Sequence, residues 1–198
     1  MQVHRLGVDA LLVECADLAE AMALRAEVER RRIDVRDLVP GARTVLLDGV
    51  ADRERLAADL TSWPLAVHEA PSVDPVELAT VYDGPDLDAV ARRWDMSSQE
   101  VVATHTGTRF TVAFCGFAPG FGYCVGLPEE LAVPRLESPR ASVPAGSVGL
   151  AGAFTGAYPT ASPGGWQLIG RTDAVLWDPS REAPALLAPG TPVRFVRA

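Results

Sequence analysis

Apolar positions along the first eighty residues recur with two alternating periods. Residues 10–14 (Ala-Leu-Leu-Val-Glu) form an apolar run of strand length. Asp17, with Glu20 three positions later, is an N-cap with its capping-box partner and opens an Ala/Leu/Glu/Arg helix to about residue 32. Residues 35–39 and 44–47 flank Pro40-Gly41-Ala42-Arg43 and predict a hairpin. Asp52 caps a second helix to about residue 60, and residues 65–70 give a last strand. The order β-α-β-β-α-β is that of a ferredoxin-like split βαβ unit.

A different rhythm follows. Pro71, Pro75, Gly84 and Pro85 punctuate a crossing over residues 71–85, with a strand at 76–82. Asp86, and then Ser97 with Glu100, cap two short helices that end near residues 94 and 104. From residue 109 onward, short apolar runs separated by Gly and Pro turns fall at 109–115, 121–125, 142–150, 153–158, 166–170, 174–177 and 192–196. Many short strands at that spacing predict a closed or partly closed barrel, because a flat sheet would leave its edges exposed. The pattern therefore predicts an α+β chain of two domains, residues 1–80 and 81–198.

Composition sharpens this division. Residues 1–80 hold 3 of the 17 Gly and 15 of the 26 acidic residues, whereas residues 107–170 hold 12 Gly and 7 of the 16 Pro. With 198 residues at 48% hydrophobic, the chain can bury a core in each half. All 18 basic residues are Arg, and the absence of Lys excludes a P-loop lysine, a Schiff base and a biotinyl or lipoyl carrier from this chain. The net charge of -8 argues against nucleic acid and anionic membrane as partners. No apolar stretch approaches the roughly 20 residues of a membrane span. Cys15, Cys115 and Cys124 are odd in number, show no CxxC spacing and follow no basic-then-apolar N-terminal segment, so a reducing cytoplasm is expected. The three histidines are far apart without HxxE or HxH spacing, and no metal ligands are expected.

Acidic residues thin out where the glycines gather. Between residues 105 and 172 the acids are Glu129, Glu130 and Glu137, set against Arg109, Arg135, Arg140 and Arg171. A near-neutral, Gly-lined concavity suits a small anionic or amide-bearing ligand, which guanidinium grips at two points. The same arginines would equally cap strand ends or pair with flanking acids. Residues 116–123 (Gly-Phe-Ala-Pro-Gly-Phe-Gly-Tyr) interleave Gly, aromatics and Pro too densely for ordinary strand packing. Pro144-Ala145-Gly146-Ser147 and Ser162-Pro163-Gly164-Gly165-Trp166 set hydroxyls beside Gly N–H groups, as an anion nest or a barrel corner would. His105, at a helix end, is placed either for acid–base chemistry or for a C-cap. Cys115 and Cys124 lie in apolar contexts and read as small hydrophobes.

These strings also carry a family likeness. His105, residues 110–123, Pro139-Arg140, residues 143–148 (Val-Pro-Ala-Gly-Ser-Val), 155–159 (Thr-Gly-Ala-Tyr-Pro) and 162–172 occur in the order of one family, which the chain closely resembles. Its members are variously called the 5-oxoprolinase B subunit, allophanate hydrolase subunit 1 and KipI. Residues 11–14, 82–87 and 178–187 extend the likeness over nearly the whole chain. The resemblance implies a cyclophilin-like β-barrel after the N-terminal α/β domain. It also implies partners: a homologous C subunit, similar to allophanate hydrolase subunit 2, with a third component, the A subunit. Together such partners open the lactam of 5-oxoproline to glutamate at the expense of ATP.

The pocket so implied is shared between polypeptides, as is the ATP, and the chain is expected to be inactive alone. Arg140 or Arg171 would hold a carboxylate or phosphate, His105 and Tyr123 would contact the amide, and the turns at Gly146-Ser147 and Gly164-Gly165 would donate N–H groups. Phe117, Pro119, Gly120, Pro144, Thr155, Tyr158 and Gln167 would line it. Two other activities fit the same motifs: action on a urea-derived amide, as in allophanate hydrolase or urea carboxylase, and KipI-like inhibition of a sporulation histidine kinase without catalysis. Where relatives carry Phe-Ala-Tyr-Leu, this chain has Phe121-Gly122-Tyr123-Cys124, a smaller wall.

Overall fold

The computed structural model describes residues 1–65 and 74–198. The chain divides into two compact units, Met1–Pro71 and Ser72–Ala198. The first contains β1 (Gln2–Leu6), β2 (Ala10–Glu14), α1 (Leu18–Arg30), β3 (Asp37–Pro40), β4 (Thr44–Asp48) and α2 (Arg53–Leu60), with an antiparallel sheet in the order β1-β2-β4-β3. The split βαβ unit is present, since β2 and β3 flank β4. The sheet edge beside β2, which the expected order gives to its final strand, is occupied by β1. Residues 2–6 (Gln-Val-His-Arg-Leu) carry too few apolar positions to announce a strand, and most of β1 is exposed. The strand expected at 65–70 lies, past Leu65, outside the described residues.

Local sequence explains these elements. Asp17 Oδ1 accepts the Glu20 N–H at 2.8 Å and caps α1, while the Glu20 carboxylate accepts the Ala16 N–H at 2.6 Å. Asp52 Oδ1 caps α2 through the Arg55 N–H at 3.0 Å. Period-two alternation sends Leu11, Val13, Val45 and Leu47 to one sheet face, where they meet Leu24 and Val28 of α1 and Leu56 and Leu60 of α2.

The second unit carries β5 (Val76–Thr80), α3 (Leu87–Trp94), α4 (Ser98–Gly107), β6 (Phe110–Cys115), β7 (Gly122–Val125), β8 (Arg140–Val143), β9 (Ser147–Ala151), β10 (Phe154–Ala157), β11 (Ser162–Gly164), β12 (Gln167–Arg171) and β13 (Pro192–Arg197). Seven strands form one sheet in the order β12-β9-β10-β7-β6-β13-β5. Reciprocal hydrogen bonds between Val81 and Arg171, both 2.8 Å, tie its two ends together, so the sheet is a nearly closed barrel. Because β5 pairs in parallel with β13, the second unit begins at Ser72, ahead of residue 81.

The run expected as one strand at 142–150 is two strands, β8 and β9. It breaks at Gly146, whose φ is +79° and where a Cβ would stand 2.2 Å from the Thr172 carbonyl oxygen. Residues 174–177 supply only an isolated bridge from Trp177 to Ala185, and β11 pairs with β8 in a separate two-stranded ladder. Phe110, Val112, Val148, Leu150, Ile169 and Phe195 fill the core with Val90 and Trp94 of α3 and Val101 of α4. The capping box of α4 forms as predicted: Glu100 accepts the Ser97 N–H at 2.7 Å, and Ser97 Oγ accepts the Glu100 N–H at 3.3 Å. Among the described residues no helix is long and apolar enough to cross a membrane.

Candidate functional site

His105, expected at the amide of a substrate, is fully buried in the last turns of α4. Its Nδ1 lies 2.8 Å from Tyr82 Oη and its Nε2 lies 2.9 Å from Thr155 Oγ1, with the Phe110 and Phe195 rings at 5.1 and 4.5 Å. The Thr155 hydroxyl donates its proton to the Gly149 carbonyl at 3.2 Å. Its oxygen therefore accepts from Nε2–H, and Nδ1 accepts from Tyr82. Burial pushes the imidazole from 6.5 down to about 3, so the ring is neutral at ordinary pH. His105 and Thr155 form a core polar string that joins α4 to β10 and lines neither the aromatic cavity around Phe121 nor the cleft beside Arg140.

The string has a consequence for pH. An unfolded histidine titrates near 6.5 and the folded one near 3, so acid favours the unfolded chain. This contribution is complete above about pH 6.5 and falls by about 1.4 kcal/mol per pH unit below it. Urea midpoints should decline between pH 6.5 and 5 in the wild type and flatten in His105→Gln. Parallel declines in the two proteins would assign the acid sensitivity to other groups.

The two arginines expected to hold a ligand are committed within the chain. Arg140 Nη2 lies 2.7 and 2.8 Å from the carboxylate oxygens of Asp86, and its Nη1 donates to the Trp166 carbonyl at 3.2 Å. Asp86 occupies the N-cap position of α3 but makes no capping bond there, accepting instead the Leu168 N–H at 2.6 Å. Arg171 Nε donates to Asp83 Oδ2 at 3.0 Å. Both arginines line, with Pro144, Ser147 and Leu168, a cleft of about 330 Å³. The turn beside it is no anion nest, because the Gly146 N–H bonds the Tyr158 carbonyl at 2.7 Å and the Ser147 N–H bonds the Pro144 carbonyl at 3.3 Å. Gly120 packs against Leu176 and Trp177, Pro119 is exposed beside it, and Gln167 Nε2 donates to the Pro134 carbonyl at 3.3 Å.

A second, smaller cavity of about 70 Å³ gathers Phe117, Tyr123, Tyr158, Gly164 and Gly165 of the expected site, together with Phe121, Trp166 and Arg135. Phe121 is the hub. Its ring meets those of Phe117, Tyr123, Tyr158 and Trp166 edge to face at 5.4, 5.0, 5.2 and 5.2 Å. Such geometry sets positive edges on negative faces and contributes about 0.5–1.5 kcal/mol per pair beyond area burial.

Phe117 lines the cavity and stays 60% exposed. It sits at φ +69°, and the Ala118 N–H bonds the Gly116 carbonyl across it at 2.8 Å, the strained form of a γ-turn. Burial raises the hydroxyl pKa of Tyr123 and Tyr158 while Arg135 pulls both back, so the two phenols remain protonated donors at neutral pH. Unlike Arg140 and Arg171, Arg135 makes no ion pair with any described residue.

Residues 1–187 match the family model of the carboxyltransferase domain, subdomain C and D. The 5-oxoprolinase B subunit of Escherichia coli O157:H7 is 43% identical over 174 residues, which cover 82% of this chain and 78% of that protein. The 5-oxoprolinase B subunit of Bacillus subtilis (strain 168) is 48% identical over 125 residues, 62% of this chain and 52% of that protein. The chain belongs to the 5-oxoprolinase B-subunit family. Among solved structures, a conserved uncharacterized protein from Pyrococcus horikoshii is 32% identical with a TM-score of 0.61, covering 100% of this chain and 97% of its own. The urea carboxylase of Kluyveromyces lactis, 20% identical with a TM-score of 0.69 over 99% of this chain and 21% of its own, shares the fold alone.

For this homologue of the 5-oxoprolinase B subunit, sequence spacing pointed first to arginines that the fold itself occupies. The acids that hold Arg140 and Arg171 stand 54 and 88 positions upstream, a separation no local pattern reveals. A signal did exist for His105. It follows the buried Val101 by four residues, on the same face of α4, and therefore points into the core.

Proposed function

We propose that the chain is the B component of an ATP-dependent 5-oxoprolinase, working with a homologous C component and an A component to open the lactam of 5-oxoproline to glutamate. The observation that carries this reading is the aromatic cavity with the Arg135 guanidinium, unpaired among the described residues, which suits a small planar ring bearing an anion. A lactam is resonance-stabilised, so ATP is used to make its carbonyl carbon a better electrophile before water opens the ring. The cavity's volume of 70 Å³ lies far below the roughly 300–1,000 Å³ of pockets for larger ligands, so the nucleotide is held elsewhere in the assembly. Its titratable lining groups, Tyr123, Tyr158 and Arg135, are donors near neutral pH and suit holding a substrate better than removing a proton. The base then comes from a partner, and the chain alone is inactive.

Action on a urea-derived amide is the second reading, supported by the fold shared with a urea carboxylase. Urea itself is neutral and would leave Arg135 unused, whereas 5-oxoproline and allophanate each carry a carboxylate, so the arginine argues against urea alone and growth separates the two anions. The test is complementation. A bacterium deleted for its own B component should regain growth on 5-oxoproline as nitrogen source when it carries this chain with its cognate A and C components. Growth restored on urea in a urea-utilisation mutant, and not on 5-oxoproline, would favour the second reading.

A further inference from the structure

We infer that Arg135 selects for a negatively charged ring by holding the substrate carboxylate at the aromatic cavity; this rests on the reading of the chain as a 5-oxoprolinase component. Four arginines stand between residues 105 and 172. Arg140 and Arg171 are held by Asp86 and Asp83, Arg109 lines neither cavity, and Arg135 alone of the four combines a place on a cavity wall with a guanidinium unpaired among the described residues.

The dimensions define the ligand class. At about 70 Å³ the cavity suits a ligand no larger than a small ring. A carboxylate on such a ring would meet Arg135, which lines the cavity beside Gly165 and is exposed to solvent. Aromatic walls from Phe121 and Trp166 suit a flat ring, while the protonated Tyr123 and Tyr158 hydroxyls suit an amide oxygen. The guanidinium fork matches a carboxylate with two parallel N–H···O bonds, which a lysine ammonium cannot reproduce.

The test uses the complete assembly of this chain with its A and C components, reading kcat and KM separately, and direct binding of 5-oxoproline and of 2-pyrrolidinone to the full chain by equilibrium dialysis. Arg135→Ala should raise KM and Kd for 5-oxoproline by roughly 10- to 100-fold, the weight of charge-assisted hydrogen bonds, with kcat changed far less. Arg135→Lys should recover part of the loss. Arg109→Ala, at an exposed position that lines neither cavity, should leave KM unchanged. Binding of 2-pyrrolidinone, which lacks the carboxylate, should be equally weak in wild type and Arg135→Ala. Because Arg135 bonds no described residue, its variants should keep the wild-type urea midpoint. An unchanged KM and Kd in Arg135→Ala would overturn the inference while the functional reading stood. A wild-type assembly inert toward 5-oxoproline would overturn the reading, and the dialysis would still decide whether Arg135 grips the carboxylate.

Discussion

Replacing Asp86 with alanine lowers the stability of the second unit by about 3 kcal/mol, near the low end of what breaking a buried ion pair costs because Arg140 keeps some contact with water. The carboxylate accepts from Arg140 and from the Leu168 N–H, at 2.6 to 2.8 Å. Removing it strands a guanidinium and a main-chain donor together, in a place where side-chain exposure is only 27% for Arg140 and 12% for Asp86. Arg140→Met is expected to cost a similar amount, because it leaves Asp86 charged with one donor. The double variant Asp86→Ala/Arg140→Met should be less destabilised than the sum of the two singles, since removing both partners eliminates the stranded charge. Urea unfolding of the full chain followed by tryptophan fluorescence measures all four proteins. A loss under about 0.5 kcal/mol in Asp86→Ala, the size of an ordinary surface change, would mean that the pair is not structural and that Arg140 is available to a ligand.

Gly164→Ala is expected to abolish most ligand binding. A Cβ there would stand 2.4 Å from the Tyr158 hydroxyl oxygen, and also 3.0 and 3.1 Å from its ring carbons. Tyr158 is 1% exposed and packed against Phe121 and Trp166, so its ring cannot swing into solvent. The ring must move into the cavity it backs, at a strain cost of about 1–3 kcal/mol. The expected result is a loss of 5-oxoproline affinity of tenfold or more, as about 1.4 kcal/mol would give. Tyr158→Phe removes the atom that clashes most severely, so the double variant Gly164→Ala/Tyr158→Phe should recover affinity relative to Gly164→Ala alone. Wild-type binding by Gly164→Ala would show that the ligand sits elsewhere.

What the sequence disclosed and what it hid divide along physical lines. The caps at Asp17, Asp52 and Ser97 depend on residues three positions away and were legible as such. The barrel was legible from the spacing of its strands and turns, and the aromatic wall from the density of Gly and aromatics at residues 116–123. Edge strand β1 and the short β11 were not, because pairing at an edge asks little of side chains. The partners of Asp86, Arg140 and His105 were hidden for another reason. Each residue is fixed by a partner at least 50 positions away, Arg140 for Asp86 and Thr155 for His105, and sequence spacing carries no such distance. Arg135 was one of four equivalent arginines until the fold occupied two of the others.

The most direct measurement is ATP-dependent release of glutamate from 5-oxoproline by this chain alone, with its C component, and with the A and C components together. Turnover is expected only from the complete set, with ADP and phosphate formed in step with glutamate and KM raised by Arg135→Ala. A complete set that assembles and still leaves 5-oxoproline unopened, or a chain that opens it unaided, would contradict it.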